Sequence, residues 1–233
     1  MIPVKKIAAM YTLPLVTFFM MVCSLYAIFM FAPMEETMGN VQRIFYFHVP
    51  SAWIAALAFA VVFAASIVFL AKKDLFWDRL AYVSAEIGII FCSMVLITGP
   101  LWAKPVWGVY WPWDARITSF LILWLIFIGY LMLREYTTDA FKRASLSAVV
   151  GIIGFLNVPI VYFSIRLWRT LHPQPVIGGG QGSGLHPDMK FAFFLALASF
   201  TALFFMILQL RIRLAESEDA MQALRKKIQS LEQ

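Results

Sequence analysis

Charged side chains are scarce in this chain. Only 14% of its residues are Asp, Glu, Lys or Arg, against 62% hydrophobic, and the mean hydropathy is +0.80. An ordinary soluble domain is about half apolar and a quarter charged, so a water-soluble globule is excluded and the chain reads as an integral membrane protein. Cysteine is nearly absent. The two that occur, Cys23 and Cys92, lie far apart inside apolar runs, where they serve packing. There is no short-spaced cluster of His, Cys and acids, which argues against a zinc site. The glycine run 178–184 lacks the Gly-Lys-Ser/Thr ending of a phosphate loop.

What is abundant is long apolar sequence. A membrane span needs roughly 20 mostly apolar residues, and six segments qualify: 7–32, 52–71, 80–98, 117–133, 145–165 and 191–210. The first follows Lys5 and Lys6 as a signal peptide would. Its apolar run is too long for a cleavable leader and no small-residue cleavage site precedes Pro33, so it is expected to be a retained span. The expected fold is therefore an all-α membrane protein of six transmembrane helices. Thirteen Lys and Arg fall at the amino terminus, in the second and fourth loops and in the tail, while six fall in the first, third and fifth loops. The positive-inside rule then puts both termini in the cytoplasm and the three odd loops on the opposite face. The net charge of +6 follows from this bias and calls for no nucleic-acid partner.

The odd loops hold the chemistry. Residues 107–118 read Trp-Gly-Val-Tyr-Trp-Pro-Trp-Asp-Ala-Arg-Ile-Thr, with three of the chain's eight tryptophans in seven positions. An aromatic belt at the membrane surface accounts for tryptophan enrichment, but not for Asp114 and Arg116 beside it. Together they suggest a shaped surface for a flat aromatic ligand. All three histidines lie on the same face: His48, before the second span where Pro50 and Ser51 read as the helix start, and His172 and His186, beyond the fifth. Neutral imidazole is a usual partner of haem iron. Two imidazoles from opposite sides of a macrocycle, over an aromatic floor, would hold haem with no open coordination position. Pro112 fits the first turn of a helix, so the fourth helix is expected to begin near Trp111 with its positive end toward the pocket. That end, with Arg116 and with Arg43, Arg166 and Arg169 as further candidates, would receive the two haem propionates, unless these arginines only snorkel to the interface. Asp114 is expected to fix an Arg or a Trp N–H.

The pattern Trp107-Gly108-x-x-Trp111-x-Trp113-Asp114-x-Arg116-x-Thr118, flanked by His48 and His172 in a six-span chain, resembles the CcmC family of bacterial cytochrome c maturation. The haem-lyase subunit CcmF and the cytochrome c synthase CcsA share the Trp-Trp-Asp core. Here Asp-Ala-Arg-Ile-Thr-Ser follows and the chain is short, which favours CcmC. The resemblance implies that His48 and His172 are the axial ligands of haem b. It implies that Trp107, Gly108, Trp111, Trp113 and Asp114 form the haem-presenting surface, facing the periplasm from the inner membrane. The implied partners are the haem chaperone CcmE, which captures haem covalently, the ATP-binding cassette proteins CcmA and CcmB, and the small membrane protein CcmD.

Other features are less specific. The chain has no Cys-x-x-Cys-His, so it cannot attach haem to itself as c-type cytochromes do. His186 follows a glycine-rich run that reads as a mobile flap or a plain loop. Glu86, inside the third span, should face the protein interior or water, and Asn157 with Pro159 should bend the fifth helix. Residues 1–212 form the expected haem-handling domain. Residues 213–233, with Met221, Leu224, Ile228 and Leu231 at heptad-like spacing, form an amphipathic tail for a cytoplasmic partner or the anionic lipid surface. A b-type membrane cytochrome, a haem lyase component and a solute permease are the competing classes. The cytochrome usually places paired histidines within its spans, and the permease needs a polar path that Glu86 alone hardly supplies.

Overall fold

The structure is a computed structural model and describes residues 4–172 and 184–231. Helix α1 (Val4–Tyr26) runs into a π turn (Ala27–Phe31), and a 3-10 turn (Asn40–Ile44) leads into α2 (Phe45–Lys72). Then come α3 (Leu75–Trp107), α4 (Ala115–Tyr136), α5 (Ala140–Phe155), α6 (Asn157–Leu167) and α7 (Pro187–Leu231). No strand occurs among the described residues. Six helical segments are long and apolar enough to cross a membrane: Tyr11–Phe31, Asn40–Lys72, Leu75–Trp107, Ala115–Tyr136, Ala140–Leu167 and Pro187–Glu218. The fifth is α5 and α6 joined at Leu156. The expected bend is there, and the Asn157 side chain at the break donates to the Ser119 carbonyl at 2.8 Å.

Three helices start where an aspartate satisfies a free backbone N–H of the first turn, as capping requires. Asp74 accepts from Phe76 N at 2.9 Å, Asp114 from Ile117 N at 2.9 Å and Asp139 from Lys142 N at 2.7 Å. Helix α2 lies at the centre, packed on α3, α5 and α7, while α1 leans on α7 and α4 closes the other side against α3, α5 and α6. Small residues let these helices approach. A Cβ on Gly88 of α3 would stand 2.5 Å from the Phe59 ring of α2, and that ring stacks on Phe127 of α4 with centroids 3.7 Å apart.

Two ion pairs bind the bundle toward the end formed by the α2–α3 and α4–α5 connections. Arg134 of α4 makes two parallel bonds to the Asp78 carboxylate of α3, at 2.6 and 2.9 Å, and both side chains are buried. Glu86, whose partner the sequence leaves open, accepts from Arg211 of α7 at 2.7 Å. Partnered charge of this kind is the form in which ionisable groups persist inside membranes.

Three boundaries depart from expectation. Helix α2 begins at Phe45, not near Pro50, because the 3-10 turn feeds straight into it and Pro50 is absorbed in its second turn. His48 therefore sits inside a helix and not on its rim. Helix α3 continues past Thr98 through Pro100 and Pro105 to Trp107. Helix α4 starts at Ala115 and not near Trp111, since Trp113 has a φ of 53° and Asp114 caps the turn that follows. The segment from 213 onward continues α7 without a break to Leu231.

Candidate functional site

The first, third and fifth connections meet over one cavity of about 470 Å³, within the roughly 300–1,000 Å³ of small-molecule clefts. Its walls include Glu35 and Met38 from the first connection, Trp107 and Trp111 around the third, and Leu171, His172, Gly184 and Leu185 from the fifth. Helices α2 and α3 supply the inner wall with Phe45, His48, Gly99 and Trp102, and Arg116 and Phe120 come from α4. The lining is mostly apolar and aromatic with few polar groups, the usual composition of a ligand site.

Both histidines reach this cavity from different elements. His48, one turn into α2, has Nδ1 2.9 Å from the Thr98 hydroxyl and its ring edge-to-face with Trp102, centroids 5.9 Å apart. His172 lies just beyond α6, with its ring 6.4 Å from that of Trp107 at 61°. Its backbone N–H donates to the Thr170 hydroxyl at 3.1 Å. That hydroxyl in turn donates to Asp114 Oδ2, while Asp114 Oδ1 caps α4. Asp114 thus spends its carboxylate on a helix cap and on the strap that carries His172, and among the described residues it accepts no hydrogen bond from an Arg or a Trp N–H.

The tryptophans divide. Trp107 ends α3, where Gly108, with φ of 76°, takes the left-handed position that favours glycine. Trp107 and Trp111 line the cavity, whereas Trp113 is 69% exposed and packs edge-to-face on Trp111, centroids 5.6 Å apart. The buried indole N–H groups of Trp102 and Trp111 have no hydrogen-bond partner among the described residues. Buried polar groups are nearly always satisfied, and Ser66, Tyr130 and Ser147, away from the cavity, are left without a partner in the same way.

Arg116 also lines the cavity and donates to the Val161 carbonyl at 3.4 Å. Of the other candidate arginines, two make contacts elsewhere and one is exposed. Arg43 donates to the Ile28 carbonyl of the π turn and lies over the Phe29 ring at 5.8 Å, Arg166 lies over Tyr162 at 5.9 Å, and Arg169 is exposed. His186 is exposed beside Asp188, 3.6 Å away. Most of the glycine run before it, up to residue 183, lies outside the described residues.

Sequence reasoning ended the third span at Thr98 and gave that residue no role, so it missed the contact of Thr98 with His48 and the wall positions Gly99 and Trp102 beyond it. It also missed Thr170. The Thr-Leu-His spacing was visible, but nothing local announces that the hydroxyl bonds to a carboxylate 56 positions away. Among the described residues, no cluster of three His, Cys, Asp or Glu is grouped to hold a bare metal ion.

The fold and site define a multi-pass helical membrane protein with six candidate spans and one aromatic-walled cavity that two imidazoles line. The profile of the Heme exporter protein C family, CcmC, matches residues 4–227. The chain belongs to this family of cytochrome c biogenesis. It is 36% identical over 192 residues to a putative cytochrome c biosynthesis ccmC-like mitochondrial protein of Marchantia polymorpha, an alignment covering 81% of each chain. It is 36% identical over 173 residues to Heme exporter protein C of Bradyrhizobium diazoefficiens, covering 74% of this chain and 66% of that one. With Heme exporter protein C of Escherichia coli K12 the identity is 35% over 144 residues, 62% of this chain and 59% of the relative.

Proposed function

We propose that the chain binds haem b between His48 and His172 at the periplasmic face of the bacterial inner membrane and presents it to the haem chaperone CcmE. In this reading it works beside CcmA, CcmB and CcmD and has no ATPase activity of its own. The observation that carries the proposal is the convergence of two imidazoles, from α2 and from the strap after α6, on a single aromatic-walled cavity. The excess of Lys and Arg at the opposite end supports the periplasmic orientation.

The donor set fits haem as cargo. Haem supplies an iron that takes two axial ligands, a flat apolar macrocycle and two anionic propionates. His48 and His172 offer the imidazoles, and Trp107, Trp111 and Phe120 offer apolar surface. Arg116 offers a planar guanidinium suited to a carboxylate. With both axial positions filled by protein there is no place for oxygen to bind, so the site stores and delivers. Trp113, exposed at the mouth, is the aromatic surface an incoming chaperone would meet.

The test is the absorption spectrum of the detergent-purified protein, with haem quantified against protein, beside His48→Ala and His172→Ala. Six-coordinate low-spin haem in the parent, lost in either variant, is expected. A parent that stays colourless when haem is added, or variants with unchanged spectra, would overturn the assignment.

A further inference from the structure

We propose that Thr98 is the positioning residue that fixes the ring tautomer of His48, holding a proton on Nδ1 and presenting a bare Nε2 to the cavity. The inference deepens the haem-binding reading above and rests on it for its functional meaning.

The argument is one of proton accounting. A threonine hydroxyl has one proton to donate and two lone pairs to accept with. Thr98 directs its oxygen at the Met94 carbonyl, one turn back on α3, at 2.7 Å. A carbonyl can only accept, so the hydroxyl proton is committed there. The same oxygen lies 2.9 Å from His48 Nδ1, and with its own proton spent it can meet that nitrogen only as an acceptor. In a neutral imidazole one nitrogen carries the proton and the other the lone pair. Nδ1 is therefore the N–H, and Nε2 is left with the lone pair that a ligand to iron needs.

The rest of the environment keeps the ring from turning away. Trp102, one turn further along α3, abuts the ring edge-to-face, and a Cβ on Gly99 would come to 3.4 Å from its Cε1 atom. Thr98, Gly99 and Trp102 are thus one cradle on one face of α3, and His48 projects into it from α2. Outer partners that set the tautomer and orientation of a ligating histidine typically matter 10- to 100-fold in metal affinity. Near His172 the Thr170 hydroxyl accepts from the backbone N–H at 3.1 Å.

The experiment uses the full chain in lipid nanodiscs without haem, labelled with ¹⁵N-histidine, with the His48 signals assigned by their loss in His48→Gln. The expected result is a protonated Nδ1 and a bare Nε2 at His48 in the parent and in Thr98→Ser. In Thr98→Val, which keeps the shape and removes the acceptor, the ring should shift toward the commoner Nε2–H form. Haem titration should then give an affinity about 10- to 100-fold weaker for Thr98→Val and near parental for Thr98→Ser. Finding Nε2–H in the parent overturns the proposal, as does an unchanged tautomer and affinity in Thr98→Val. If Thr98→Val does not fold, the parent spectrum alone decides. A parent that takes up no haem removes the haem reading, while the tautomer of His48 still tells for or against Thr98.

Discussion

The two ends of this helix bundle are built on opposite rules. Toward the α2–α3 and α4–α5 connections, charges are matched: Arg134 forks onto Asp78, and Glu86 holds Arg211. At the other end the bundle opens into a cavity whose wall contains orphaned tryptophan N–H groups, a guanidinium and two imidazoles. The contrast teaches where the molecule is finished and where it waits. Ion pairs made within the protein lock helices together, and an aromatic-walled cavity with imidazoles on its surface has room for a ligand.

The comparison can be broken at the closed end first. Replacing Arg134 by Ala leaves Asp78 buried and unpaired, a change of about 3–5 kcal/mol. We expect the largest loss of thermal stability here, with the haem spectrum of surviving protein unaltered; a shifted spectrum would mean the two ends are not separable. Gly88→Ala drives a methyl into Phe59, and overpacking of this sort costs about 1–3 kcal/mol. It should lower the melting temperature in detergent without weakening haem binding per folded molecule.

At the open end the effects on stability are smaller and those on function greater. Asp114→Ala removes both a helix cap, worth about 0.5–2 kcal/mol, and the anchor of the Thr170 strap. Haem should bind more weakly through His172, and a variant with parental affinity would show that the strap needs no anchor. The smallest change in stability, within about 0.5 kcal/mol, is expected for Trp113→Ala. Haem affinity measured by titration should stay parental while transfer to CcmE slows; normal transfer would reduce Trp113 to an interfacial anchor.

Much of this was readable from the chain, because membrane spans are written in composition. The six apolar runs became six helical spans, and the bend at Asn157 and Pro159 became the α5–α6 break. His48, His172, Trp107, Trp111 and Arg116 were named from residue chemistry and motif spacing, and the fold brings them to one cavity. What escaped was mostly tertiary. The bond from His48 to Thr98 joins positions 50 apart, and its existence depends on the rotational phase of two helices. Pro50 was read as a helix start and residue 98 as the end of the third span, yet Pro50 and Pro100 both lie inside helices, since packing overrides a local preference. Pro112 led the other way, because the positive φ of Trp113 could not be foreseen from its neighbours.

Helix α7 has a last consequence. From Met189 to Leu231 it contains neither Pro nor Gly, and its 45 residues make a rod of roughly 67 Å, about twice the thickness of a bilayer core. Met189 stands in the cavity wall, and Met221, Leu224 and Ile228 are exposed far along the same axis. With no hinge to absorb motion, one degree of tilt at the cavity sweeps the far tip through about 1 Å. The helix thus joins the cavity wall to the exposed tail as one continuous element.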